Sequence, residues 1–120
     1  MKIAITSDHA GYELKEEIKE ILLKLDHVPI DLGPENAESV DYPDYGKRAG
    51  EAIENSVASR AIIVCGSGIG ISIAANRNPA VRAALCTNGL MARLARQHND
   101  ANVLALGARL TGIDVIKDCI

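Results

Sequence analysis

Five short apolar runs punctuate the chain: "KIAIT" (2–6), "VPIDL" (28–32), "AIIVC" (61–65), "VRAALC" (81–86) and "NVLAL" (102–106). Several are continuously apolar, as strands buried on both faces of a parallel sheet tend to be. Between the first two lies "YELKEEIKEILLKL" (12–25), in which Leu14, Ile18, Ile21, Leu22 and Leu25 recur at helical spacing. Glu and Lys fill its other face, with Glu20 and Lys24 as an i,i+4 pair. Further helices are expected over 43–58, 68–77, 88–97 and 111–120. Five β–α units in strict alternation predict an α/β fold, a Rossmann-like three-layer αβα sandwich around a five-stranded parallel sheet. A chain of 120 residues is long enough for one core and too short for two, so a single domain over 1–120 is expected.

In folds of this type ligands bind beyond the carboxyl ends of the strands, where strand order reverses. That rule selects Ser7, Asp8 and His9 after the first strand, Cys65 to Gly70 after the third, and Arg109 after the fifth. The polar loop "GPENAESVDYPDYG" (33–46) leaves the second strand at the same rim. "GSGIG" (66–70) follows a strand and opens a helix, so its backbone N–H groups suit an anion, and glycine permits close approach. No Gly-Lys-Ser/Thr follows, as a Walker A loop requires, and the third glycine comes one residue too early for G-x-G-x-x-G. A phosphate or an oxyanion fits better than a nicotinamide dinucleotide.

Cys65 stands directly before that helix, whose N-terminal field favours thiolate over thiol. The competing reading is a buried, inert cysteine closing a strand. Asp8 can accept from sugar hydroxyls and His9 can donate to a phosphate, yet Ser7 or Asp8 could equally cap the first helix. "RQHND" (96–100) ends the fourth helix on the opposite rim, where His98 and Asn99 either satisfy helix carbonyls or reach a site through a partner subunit. Arg109 suits a phosphate or is a surface charge. His27 reads as turn chemistry, and Asp41 and Asp44 as a solvated helix start.

Composition narrows the field. Phe and Trp are absent and only Tyr12, Tyr42 and Tyr45 are aromatic, so aliphatic residues build the core. The net charge of −3 gives no electrostatic reason to expect nucleic acid or an anionic membrane. No apolar run approaches a membrane span, and "MKIAITSDHAG" does not read as a signal peptide. Cys65, Cys86 and Cys119 cannot all pair within one chain, which suggests reduced thiols in a cytoplasmic protein, with Cys86 and Cys119 as packing residues. The three His show no metal spacing, so no metal is expected.

Taken together, "SDHAG", "DYPDYG", "CGSGIGISIAAN" and "RQHNDANVLALGAR", in that order on a fivefold β–α alternation, resemble ribose-5-phosphate isomerase type B and its relatives acting on galactose or allose 6-phosphate. The resemblance implies a sugar-phosphate isomerase domain that works without a metal or organic cofactor. It implies Cys65 as the base that moves a proton between C2 and C1, with the charge held on backbone N–H groups from Gly66 through Ser67, Gly68 and Ile69 to Gly70. Ser67 and His98 would assist ring opening. Asp8, Tyr42 and Asn99 would bind sugar oxygens, and His9 and Arg109 would face the phosphate. It further implies a homodimer with a shared active site, His98 and Asn99 coming from the partner, and dimers that could pair into tetramers. Members that use a glutamate in the glycine loop as base have it where this chain has Ile71, which leaves Cys65. Members usually continue into a helical tail carrying phosphate-binding arginines, whereas this chain stops at "IDVIKDCI", so a missing C-terminal tail is expected. Two readings compete with the isomerase: a sugar-phosphate or nucleotide binding module without chemistry, and a thiol redox protein centred on Cys65.

Overall fold

The computed structural model describes residues 1–120. Strands β1 (Lys2–Ser7), β2 (Val28–Asp31), β3 (Arg60–Cys65), β4 (Ala83–Leu85) and β5 (Val103–Gly107) alternate with helices α1 (Tyr12–Lys24), α2 (Tyr42–Glu54), α3 (Ile69–Asn76), α4 (Gly89–Asn99) and α5 (Ile113–Cys119). All strand pairs are parallel, in the order β2-β1-β3-β5-β4. The three-layer sandwich expected from the alternation is therefore the fold. The chain steps outward from β1 to β2, then crosses back to β3 on the other side of β1. That reversal opens a crevice between the carboxyl ends of β1 and β3.

Side-chain alternation along β3 divides the core between the two faces. Ile63 and Cys65 pack with Ala49 and Ala52 of α2 and with Ile71 and Ala75 of α3. Ile62 and Val64 pack with Ile18 and Leu22 of α1 and with Ile116 and Cys119 of α5. Each buried Ile or Leu contributes on the order of 1.5–3 kcal/mol, which is how an aliphatic core suffices without Phe or Trp.

Two boundaries and one buried face differ from the sequence pattern for identifiable reasons. β4 is shorter than 81–86, because the Arg82 amide donates to Asn102 Oδ1 (2.8 Å) and the Val81 amide to the Asn78 carbonyl (2.9 Å) instead of to a ladder. α2 ends at Glu54 rather than 58: Ser56 turns left-handed (φ 57°), and the Val57 and Ala58 amides fold back onto the Ala52 carbonyl. On α1, Ile18 and Leu22 are fully buried but Leu25 is exposed, and the buried stripe instead includes Lys15, with no exposed surface at all. Lys15 lies three residues before Ile18 and seven before Leu22, so helical periodicity places it on the same face.

Candidate active site

β1 delivers its polar exit into the crevice. The Asp8 amide donates to the Val64 carbonyl (3.0 Å), extending the β1–β3 alignment past the last strand residue. Asp8 Oδ1 accepts from the Gly11 amide (3.0 Å), while α1 begins only at Tyr12 with Gly11 as its N-cap and no side-chain cap. The expectation that Ser7 or Asp8 caps α1 is thus corrected. Asp8 closes the turn before the helix, and a Cβ at Gly11 would meet Val64 Cγ1 at 2.7 Å, so the helix start is pressed onto β3. His9 Nδ1 lies 3.2 Å from the Val40 amide nitrogen. The Val40 carbonyl oxygen lies at the same 3.2 Å, so either backbone group of Val40 can hold Nδ1.

β3 delivers the thiol. Cys65 is buried, 5% exposed, and its Sγ accepts from the Gly68 amide at 3.1 Å. Gly68 is left-handed (φ 79°), and a Cβ there would lie 2.5 Å from Leu85 Cδ1 and 2.9 Å from the Leu106 carbonyl carbon, so no other residue fits without strain. Ser67 Oγ accepts from the Ile69 amide (3.1 Å), which tightens the entry to α3. The amides of Gly66, Ser67, Gly70 and Ile71 find no acceptor inside the chain. Four free donors around the start of a helix constitute an anion cradle.

Neighbouring elements wall the cradle. The Ala108 and Arg109 amides donate to the Cys65 and Gly66 carbonyls, both at 2.9 Å, so the exit of β5 holds the loop. The Arg109 guanidinium borders Gly66, where a Cβ would be 3.3 Å from Nη1. Tyr42, the first residue of α2, lays its ring against Gly70, where a Cβ would be 2.7 Å from Cε1. Asp8, His9, Tyr42, Cys65 to Gly70 and Arg109 therefore converge on one rim.

Residues 3–120 match the family model of the ribose/galactose isomerases. The chain belongs to that family. It is similar to ribose-5-phosphate isomerase B of Clostridium thermocellum, with a TM-score of 0.97 at 54% identity, covering 99% of this chain and 80% of that one. Ribose-5-phosphate isomerase B of Escherichia coli is 42% identical over 116 residues, 97% of this chain and 78% of that protein. Galactose-6-phosphate isomerase subunit LacB of Clostridium acetobutylicum is 39% identical over 120 residues, 100% of this chain and 69% of that one. The protein is accordingly an enzyme, an isomerase of this family.

In this ribose/galactose isomerase the remaining sequence candidates lie apart from the rim. His98 and Asn99 sit exposed at the far end of α4, before β5 begins, so a single chain does not bring them to Cys65. Nor do their side chains cap that helix. Arg96 Nη1 bonds Asp100 Oδ1 (3.0 Å) and the Ala101 carbonyl, and Arg82 Nε donates to the Asn99 carbonyl (2.8 Å). His27 Nδ1 pairs with the terminal amine of Met1 (3.2 Å), in keeping with turn chemistry. Asp41 is the N-cap of α2 without a side-chain cap bond, and both Asp41 and Asp44 are exposed.

The other thiols are packing residues of this enzyme. Burial pushes the Cys86 thiol up, and proximity to Cys119 adds to it. Burial likewise raises Cys119, with the Asp118 charge reinforcing it. No group of three or more His, Cys, Asp or Glu is placed to hold a metal, and no helix is long and apolar enough to cross a membrane.

Two hollows lie outside the crevice. One of about 210 Å3, mostly apolar, sits at the opposite rim beside Ile3, Cys86 and Cys119. The other, about 570 Å3, runs between α2 and α3 and touches the site only through Tyr42 and Gly70. Sequence reasoning did not single out the Ile71 amide, the Val40 backbone partner of His9, or the ionic cluster of Lys15, Glu16, Lys19 and Asp31. The first two are backbone groups that carry no residue-type signal. The last was foreshadowed only by a lysine on the apolar stripe of α1.

Proposed function

We propose that the enzyme interconverts ribose 5-phosphate and ribulose 5-phosphate through an enediolate, with Cys65 as the base and residues 1–120 as one catalytic domain. The observation that carries this reading is a thiol set at the head of a loop with four unsatisfied amides, across a crevice from a carboxylate and an imidazole. In the open-chain aldose, the Cys65 thiolate removes the C2 proton. The C2–H electrons form the C1=C2 bond, and the carbonyl electrons move to O1. The free loop amides of Gly66, Ser67, Gly70 and Ile71 meet that charge, a form of stabilisation worth several kcal/mol in a preorganised site. The thiol then returns its proton to C1 while the O2 proton passes to O1, leaving the ketose. Neither metal nor organic cofactor enters the scheme.

Asp8 and Tyr42 bind sugar hydroxyls, His9 and Arg109 take the phosphate, and Ser67 assists ring opening. His98 and Asn99 act from a second copy, His98 in ring opening and Asn99 on a sugar oxygen. A homodimer is supported by their separation from Cys65 and by the exposed apolar side chains Ile69, Ile73, Leu90 and Leu94 on α3 and α4. The kinship with a galactose-6-phosphate isomerase subunit favours a second reading, a hexose 6-phosphate substrate in the same chemistry.

The test is NMR in D2O with ribose 5-phosphate and galactose 6-phosphate, using the wild type and Cys65→Ala. Deuterium incorporation with ribulose 5-phosphate as product, lost in the variant, is the expected result. Exchange with the hexose alone would select the second reading, and normal turnover by the variant would remove Cys65 as base.

A further inference from the structure

We infer that Asp31 is a positioning residue, one that holds the Asp8–His9 rim in its substrate-binding geometry through Gly33 and the loop that follows it. The inference rests on the assignment of Asp8 and His9 to substrate made above. Asp31 ends β2 and faces no substrate; its action is through hydrogen bonds. Oδ1 accepts from Lys15 Nζ and from the Gly33 amide, both at 2.9 Å. Oδ2 accepts from Lys15 Nζ (2.9 Å) and Lys19 Nζ (2.7 Å). These four bonds use the full acceptor capacity of a carboxylate, so its orientation is fixed from every side.

The other members complete the cluster. Lys15 has no exposed surface; its Nζ also meets Glu16 Oε1 (3.0 Å) and lies 5.1 Å from the Tyr12 ring. Glu16 Oε2 takes Lys19 (2.9 Å). A wholly buried ammonium is held by such pairing and is costly to leave alone. The carboxylate that satisfies it therefore stays in place.

What the carboxylate fixes is the exit of β2. Gly33 is left-handed (φ 97°), and its carbonyl accepts from Thr6 Oγ1 (2.8 Å) and the Ser7 amide (3.2 Å). The next amide, that of Asp8, bonds Val64 on the opposite side. The end of β1 is thus held between Gly33 on one side and β3 on the other, immediately before and at Asp8. Further along the same loop, the Val40 backbone holds His9 Nδ1 at 3.2 Å from both its nitrogen and its carbonyl oxygen, which orients the ring. One carboxylate consequently anchors the start of the segment whose two contacts orient Asp8 and His9. Exposure of Asp31 and Lys19 at the surface would be unremarkable; their connection to Gly33 is what a simple surface ion pair lacks.

Steady-state kinetics on Asp31→Ala, Thr6→Val and Ile18→Val tests this, each alongside a urea midpoint. Asp31→Ala removes the anchor, Thr6→Val removes one Gly33 bond without touching any charge, and Ile18→Val loosens the same helix with no link to Gly33. The expected result is a KM for the sugar phosphate raised about tenfold by Asp31→Ala and twofold to threefold by Thr6→Val. In both, kcat stays within threefold of wild type, and Ile18→Val leaves KM unchanged. If Asp31→Ala does not fold, Asp31→Asn and Thr6→Val carry the comparison. Variants whose KM tracks their urea midpoint, in step with Ile18→Val, would overturn the inference. A wild type that turns over neither ribose nor galactose phosphate would instead bring down the assignment of the rim itself, a distinct outcome seen before any variant is compared.

Discussion

Gly68→Ala tests the glycine loop most sharply. Two costs follow from the structure. The first is backbone: φ at residue 68 is 79°, where an L side chain is strained by about 1–2 kcal/mol. The second is space. The new Cβ would lie 2.5 Å from Leu85 Cδ1, 2.9 Å from the Leu106 carbonyl carbon and 3.0 Å from its oxygen. Leu85 Cδ1 is the tip of a half-buried side chain and can rotate aside. Leu106 cannot, because it is fully buried in β5, whose ladder pairs it with Val64. Overpacking against such a wall adds about 1–3 kcal/mol. The sum, about 2–5 kcal/mol, is a large part of the roughly 5–15 kcal/mol that holds a small domain together.

The assay is urea unfolding by circular dichroism, with Gly112→Ala as the control. Gly112 has φ −74° and nothing within 4 Å of a built Cβ, so that change stays within about 1 kcal/mol of wild type. With m near 1–3 kcal/mol/M, the Gly68 variant loses roughly 1 M or more in midpoint. Turnover falls further than stability, since the Gly68 amide is the donor to Cys65 Sγ. Equal midpoints for the two alanine variants would refute the account of the loop.

Three other outcomes follow from named groups. Burial tends to raise the Asp31 carboxyl, but bonds from Lys19, Lys15 and the Gly33 amide bring it below the usual range, and Lys19 above all lowers Glu16. Groups lowered in this way stabilise the fold above their unfolded values near pH 4, and the benefit is lost as pH falls through the lower folded values. The urea-midpoint gap between wild type and Asp31→Asn should therefore stay constant from about pH 5 to 9 and narrow as pH falls below about 4; a gap that does not narrow in acid contradicts it. Lys19, raised chiefly by its bond to Asp31, predicts a further loss on the alkaline side, as pH rises above about 10.5, measured the same way in Lys19→Met. Mixing Cys65→Ala with His98→Ala chains after joint refolding should restore about a quarter of wild-type turnover if sites are shared across a two-fold dimer, as statistical pairing leaves one intact site in half of the dimers. No recovery on mixing would count against His98 acting in trans.

Much of this enzyme is written locally. Apolar runs separated by helical stripes identify the parallel sheet, because burial on both faces demands continuous hydrophobicity in each strand. Residues 65–70 announce an anion cradle for an equally local reason: glycine takes the φ at 68 without strain, and a helix start leaves its first amides without partners. Two things required the folded chain. Asp8 and Cys65 stand far apart in sequence and meet only because β1 and β3 pair at the reversal of strand order. Lys15 is polar by residue type and buried by position; its partners Asp31 and Glu16 decide which property prevails. The separation of His98 from Cys65, by contrast, is legible in the β–α alternation, since a helix that precedes a strand ends on the rim opposite the strand exits. Periodicity and backbone chemistry act within a few residues, so sequence expresses them directly. Strand order and charge pairing join distant segments, and only packing selects them.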